Sequence, residues 1–279
     1  MKKKLSSIAG VTLIEILIGI LISVVMMAAM FTSYQVVNST YSQVTDRAKI
    51  STAGRDVVGM MLRDIRNAGF KYFNDDIKTS DEHSPILITK STNFNSECDK
   101  LEIVYGDVTY DNTRTPRYEY ERYKITYECK ASSIPDKTAV SVVGSTVATI
   151  KAFALYKSKL KWNKTSNKWD NPATDGDSKT YGEEVVLDYV SDLVFNAIDE
   201  NGLLINPPPT PTNSTKDKLY AIKTIDIALT VRSSKPFFRN AKLRKILAMM
   251  DGSRTKSNND KYLRESIIVT ANARNLGLQ

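Results

Sequence analysis

The sequence predicts an α+β fold: one long N-terminal α-helix, apolar in its first half, packed on an antiparallel β-sheet head. Three observations predict it. Residues 11–31 form an apolar run with one charge, apolar residues then recur at helical spacing to about residue 68, and the pattern after Phe70 changes to short β-rich segments.

The apolar run reads VTLIEILIGILISVVMMAAMF, and Glu15 is its one charge. At ~1.5 Å per residue a helix of this length spans about 30 Å, the thickness of a bilayer core. Lys2, Lys3 and Lys4 precede it, so the positive-inside rule places the N-terminus in the cytoplasm and the remainder outside. A secretory signal peptide accounts for the lysines but not for so long a run or for a carboxylate near its start, and Met26-Met27-Ala28-Ala29-Met30 is a poor cleavage site. A plain membrane anchor leaves Glu15 unexplained. A carboxylate costs ~2.5–3.5 kcal/mol at the centre of a spanning helix and less near its end, so its presence implies a partner.

No proline occurs before Pro85, so nothing covalent breaks a helix that begins near Val11. Val37, Tyr41, Val44, Ala48, Val58, Met61 or Leu62, and Ile65 continue the helical spacing, with Arg47, Lys49, Asp56, Arg63, Asp64 and Arg66 read as a solvated face. Gly54 and Gly59 each weaken this stretch by ~1 kcal/mol unless a neighbouring element packs closely there. Gly69, taking the left-handed conformation, and Phe70, folding back, end the helix near residue 68 after some ~85 Å of rise.

Beyond it, residues 86–90, 100–105, 118–127, 147–156, 219–231 and 266–273 read as strands. Residues 183–193 suggest a short helix entering another strand, and residues 239–250 a second, basic amphipathic helix. The proline-rich stretch 207–211 is the clearest loop. An antiparallel sheet on the distal half of the long helix is the economical architecture.

Composition points away from catalysis. Lys plus Arg is 39 against 31 for Asp plus Glu, giving +8, of which the three N-terminal lysines supply +3 and leave +5. One histidine, His83 in a polar run, and two cysteines exclude a four-cysteine zinc site and any paired-histidine chemistry. No cofactor and no metal are expected.

The N-terminal residues resemble a class III prepilin leader: Lys2-Lys3-Lys4, then Gly10, then Val11-Thr12-Leu13-Ile14-Glu15. The resemblance implies that a prepilin peptidase cuts between Gly10 and Val11 and methylates the new amine, and that Glu15, the fifth mature residue, serves assembly. Val11 stands where the family usually has phenylalanine. Met61-Leu-Arg-Asp-Ile-Arg-Asn-Ala-Gly-Phe70, Val190-Ser-Asp-Leu-Val-Phe195 with Asp199-Glu-Asn-Gly202, Ile225-Asp-Ile-Ala-Leu-Thr-Val-Arg-Ser233 and Leu263-Arg-Glu-Ser-Ile-Ile-Val-Thr-Ala-Asn-Ala-Arg-Asn275 are similar to PilW-type minor pilins of type IV pili. The resemblance implies a type IV pilin-like division into leader (1–10), membrane and filament-core half of the helix (11–31), amphipathic half (32–68) and periplasmic head (69–279). The implied protein is an inner-membrane precursor that enters a pilus at its base or tip and helps initiate it. Its partners are the prepilin peptidase, other minor pilins, the major pilin, the inner-membrane assembly platform and, through the helix, the membrane. A J-type pseudopilin of type II secretion is the alternative, as is a tip subunit that binds DNA or a surface ligand.

In a head outside the cytoplasm, Cys98 and Cys129 read as a disulfide, worth roughly 3–4 kcal/mol in the chain-entropy model. Two separate buried thiols are the alternative, and a metal pair lacks further ligands. Lys157, Lys159, Lys161 and Lys164 with Trp162 and Trp169 suggest a strip for single-stranded nucleic acid, cations for phosphates and rings for bases. The favoured reading is a hairpin turning at residues 163–167 with its lysines on the wet face. Asp170, Asp175, Asp177 and Glu183 miss the EF-hand spacing and read as a solvated loop.

Overall fold

The long helix starts where a side chain closes its first turn and stops where only glycine fits. The computed structural model describes residues 10, 12–69, 84–91, 98–135, 149–210, 216–247 and 255–276; in it, helix α1 runs Leu13–Asn67. Its last turn tightens, with the Ala68 N–H donating to the Ile65 carbonyl at 3.1 Å. Gly69 follows at φ +73°, and its N–H donates to the Val104 carbonyl at 2.8 Å. A Cβ at this position would lie 2.8 Å from Leu276 and 3.1 Å from Pro85, so both backbone conformation and space require glycine. Phe70 lies outside the described residues.

The chain divides into two compact units, Met1–Arg47 and Ala48–Gln279. In the first, every described residue from 12 to 41 is exposed, the apolar run included. The second contains the end of α1 and all the strands. These are β1 (Ile86–Thr89), β2 (Lys100–Tyr110), β3 (Tyr118–Ala131), β4 (Phe153–Asn163), β5 (Lys168–Trp169), β6 (Tyr181–Ile198), β7 (Thr224–Arg232), β8 (Lys242–Leu247), β9 (Thr255–Asp260) and β10 (Arg264–Asn272), with a short helix α2 (Lys216–Tyr220) before β7. All pairings are antiparallel. The main sheet runs β1-β2-β3-β4-β6-β7-β10 with β5 attached to β4, and β8-β9 forms a separate two-stranded ribbon. The α+β class agrees with the sequence reading.

Four segments depart from it. Residues 183–193 are not helical but lie within the 18-residue strand β6, where partners on both sides, β4 and β7, outweigh a locally ambiguous pattern. The described part of the helix expected at 239–250, residues 239–247, is not helical either: Leu243, Ile246 and Leu247 fit helical spacing, yet the backbone of β8 pairs with β9 from Lys242↔Asp260 to Leu247↔Thr255. The strand expected at 147–156 begins at Phe153, with Thr149 making an isolated bridge to Pro135. The one expected at 219–231 begins at Thr224, after α2.

The core forms between the sheet and the end of α1. Val57, Val58, Met61 and Ile65 of the helix are buried together with Leu101, Ile103, Tyr127, Leu155, Leu193, Phe195, Ile227 and Leu229. Gly54 lies against β10: a Cβ there would stand 2.5 Å from the Ile267 Cδ1, whereas nothing lies within 4 Å of a Cβ at Gly59. Gly59→Ala is therefore expected to raise unfolding stability by ~1 kcal/mol, the full helix-propensity difference. Gly54→Ala gains less, because Ile267 has to move, and paired thermal melts compare the two.

Asp64 corrects the expected solvated face. It occupies the apolar stripe, seven residues after Val57 and three after Met61, and is buried. Its Oδ2 accepts from the Tyr127 hydroxyl at 2.6 Å and pairs with the Lys157 Nζ at 2.7 Å; both charged side chains are 7% exposed. This interaction ties α1 to β3 and β4. Asp64→Ala strands the lysine and should cost roughly 3–5 kcal/mol, while combining it with Lys157→Met should recover most of the loss. Denaturant titration of the two variants measures the difference.

Candidate functional site

The first turn of α1 is a closed hydrogen-bonded box. The Thr12 N–H and Thr12 Oγ1 donate to the Glu15 Oε2 at 2.8 and 2.9 Å, and the Glu15 N–H donates to the Thr12 Oγ1 at 3.4 Å. Thr12 is the N-cap and Glu15 the third helical residue, the reciprocal arrangement that satisfies two orphan donors. This pairing, absent from the sequence reading, has its signal in Thr-x-x-Glu at residues 12–15, ahead of an apolar run. Glu15 thus has a local partner in addition to any intermolecular one.

Gly10 is exposed, its φ is not left-handed, and a Cβ there would meet nothing within 4 Å. Among the described residues nothing requires glycine at this position. Val11, the lysines at 2–4 and His83 lie outside the described residues. After the box, α1 is long and apolar enough to cross a membrane, with an 18-residue window of mean hydropathy 2.6 and none of it buried.

Cys98 and Cys129 are joined by a disulfide. Beside it, Asp99, absent from the sequence reading, is fully buried and stands in for a missing strand. Its N–H donates to the Leu193 carbonyl at 3.0 Å, and its carboxylate accepts from the Phe195 and Ser91 N–H groups, each at 3.0 Å. Lys90 neutralises the carboxylate at 3.0 Å. The contact serves β6 past Val190, the last residue of β6 that pairs with β4. An acidic residue following a cysteine at a strand start was the one available signal.

The structure does not bring the candidate nucleic-acid residues together. Lys157, Lys159 and Lys161 share one face of β4, and the strand period of two puts Trp162 on the other. The β4–β5 hairpin forms, pairing Trp162 with Trp169 edge-to-face at 5.1 Å and Asn163 with Lys168. Its three inner lysines, however, do not form a free wet face: Lys157 is buried and Lys159 and Lys161 are half-buried. Lys157 is held by Asp64, Lys159 lies 4.3 Å from the ring centroid of Tyr123, and Lys161 pairs with Glu121 and, at 3.5 Å, with Asp177. Lys164, in the turn, lines a shallow cleft with Arg114, Tyr118 and Tyr120.

These lysines belong to a polar layer that continues the core toward the tips of β2 and β3. The Tyr123 hydroxyl lies 2.7 Å from both Glu121 Oε2 and Asp177 Oδ2, and Lys179 bridges Asp107 at 3.1 Å and Glu121 at 3.6 Å. Burial works against ionising Glu121, but hydrogen bonds from Lys161, Tyr123 and Thr109 outweigh it, so its carboxyl titrates below the ordinary value. Asp177 is lowered in the same way, with burial outweighed by Tyr123, the Lys179 N–H and Lys161. Burial, then bonding to the two carboxylates, raises the Tyr123 hydroxyl far above its usual range. The acidic side chains already have partners: Asp170 accepts from Asn163, Asp175 from the Asp177 N–H, and Glu183 pairs with Lys130 of β3. Among the described residues no group of three metal-ligating side chains converges.

Depressed carboxyls add stability above their unfolded pKa values and lose it as pH falls through the folded ones. The head should hold its stability from neutrality to about pH 5 and lose it below about pH 4. Glu121→Gln should flatten that acid limb and lower stability at neutral pH, as read from thermal melts across pH.

A solved type IV-like pilin from Thermus thermophilus is structurally similar to the chain, with a TM-score of 0.44 at 13% sequence identity over 81% of this chain and 96% of that one. No protein-family model and no curated protein matches the sequence.

Proposed function

We propose that this chain is a minor pilin of a type IV pilus: a precursor cleaved between Gly10 and Val11, methylated on the new amine, and held in the inner membrane by α1 until assembly. The head stands in the periplasm and the role is structural, priming filament growth with other minor pilins and the major pilin on the assembly platform. One observation carries the reading. A helix whose apolar first half is exposed along its whole length opens with a Thr12–Glu15 box, two residues after a glycine at which a Cβ would meet nothing.

Once Gly10 is removed, the Val11 amine becomes a cation four residues from Glu15. Within one helix the carboxylate contributes only ~0.3–1 kcal/mol at the dipole. Between helices packed in a low-dielectric bundle it meets the neighbour's amine and sets their axial register; breaking such a pair costs roughly 3–5 kcal/mol.

Glutamine separates this role from the cap, since it retains the acceptor of the box without the charge. Both Glu15→Gln and Glu15→Ala are expected to be inserted and cleaved normally yet to be missing from sheared filaments in a strain without the wild-type copy. Incorporation of Glu15→Gln at wild-type levels would reduce Glu15 to a helix cap and remove the pairing role.

A further inference from the structure

The chain's excess positive charge is concentrated in one place. Residues 232–264 hold ten lysines and arginines against two aspartates, so their net of +8 equals that of the entire chain, and the remainder sums to zero. This segment is the β8–β9 ribbon with its two stems, inserted between β7 and β10 where Arg232 pairs with Arg264. The ribbon does not serve the core: none of its described side chains belongs to the core cluster, and Leu243 is 64% exposed. Strand β9, Thr255-Lys-Ser-Asn-Asn-Asp260, contains no apolar residue.

The base of the ribbon is held rigidly. The Phe237 and Phe238 N–H groups donate to the Lys261 carbonyl at 2.8 and 2.9 Å, and Arg244 stacks on Phe238 at 3.6 Å. Arg264 grips Asp260 with two bonds of 2.7 and 2.6 Å. Asp260 is thereby engaged. Among the described residues Lys235, Arg239, Lys242, Lys245 and Lys261 are exposed and have no carboxylate partner, in contrast to Lys157 and Lys161 of β4.

We propose that this ribbon is a binding site for duplex DNA, with the five free cations on phosphates and β9 presenting hydroxyls and amides to a groove. A two-stranded ribbon has the width that the major groove admits, and hydroxyl and amide side chains bond both phosphates and base edges. An anionic membrane surface fits less well, because an element lying in the interface needs an apolar face to bury, and the exposed Leu243 of β8 stands opposite Asn259 of a β9 that has no apolar residue. Single strands are held by stacking on exposed rings, and Phe238 already carries Arg244. The proposal is independent of the pilin reading.

The test uses the full-length chain in nonionic detergent and a labelled duplex of mixed sequence, titrated by anisotropy between about 50 and about 200 mM salt. Five phosphate contacts predict a log–log slope near −4.5 and about a 500-fold weakening over that range. Replacing Lys242, Lys245 and Lys261 together by Gln should reduce the slope to about −1.8. A second variant, Lys235→Gln with Arg239→Gln, should reduce it to about −2.7, so the result does not depend on one protein's folding. Lys164→Gln with Lys168→Gln, on the β4–β5 turn, should leave it unchanged. No duplex binding at the lower salt, an unaltered slope in both ribbon variants, or loss in the β4–β5 variant instead would overturn the proposal. So would ribbon-dependent binding to phosphatidylglycerol vesicles that is tighter than binding to the duplex.

Discussion

One continuous helix has to satisfy two different surroundings, and this constraint organises the molecule. From Leu13 to Phe31 its side chains are apolar on all sides except for Glu15, held by Thr12, and Ser23, bonded to the Gly19 carbonyl, and all of them are exposed. Exposed apolar surface costs ~25 cal/mol per Å², so such a segment persists only where lipid or other helices cover it. From Ile50 onward the same helix buries a single stripe and becomes the spine of a sheet domain. Thr12, Glu15 and Gly69, at its two ends, are fixed by the hydrogen bonds that a helix terminus leaves open.

The treatment of charge in the head depends on how that spine is attached. Asp64 lies in the apolar stripe and has to be neutralised where it is, which draws Lys157 and the Tyr127 hydroxyl inward. Further along β3 and β4 the same face continues with Tyr123, Lys159, Glu121 and Lys161, so the core grades into a layer of paired charges before it meets water. Cations used this way hold strands together. The exposed Lys235, Arg239, Lys242, Lys245 and Lys261 of the β8–β9 ribbon and its stems have no such task, and the difference between the two sets separates a structural cation from one available to a partner.

Much of this was legible in the sequence, where physics acts locally. The apolar run, the absence of proline before Pro85, the glycine at 69 and the β-branched alternation placed the helix and most strands, and the cysteine pair was readable from its count. What was not legible depended on neighbours distant in sequence. Residues 183–193 and 239–250 have patterns that suit a helix, and only the ladders to β4, β7 and β9 decide otherwise. The charge of Asp64 suits a wet face, although its spacing from Val57 and Met61 puts it on the buried one. The lysines of β4 suit a wet face in the same way, because the carboxylate partners of Lys157 and Lys161, Asp64 and Glu121, lie far away in sequence.

In the proposed role the helix leaves the membrane and joins others of its kind, beginning at Val11. Mass mapping of the N-terminal peptide, on chains recovered from membranes and from sheared filaments, tests it most directly. The account predicts a first residue of Val11 with a methylated amine in both fractions. Chains that retain Met1 in cells with an active prepilin peptidase, and that are absent from the filaments, would contradict it.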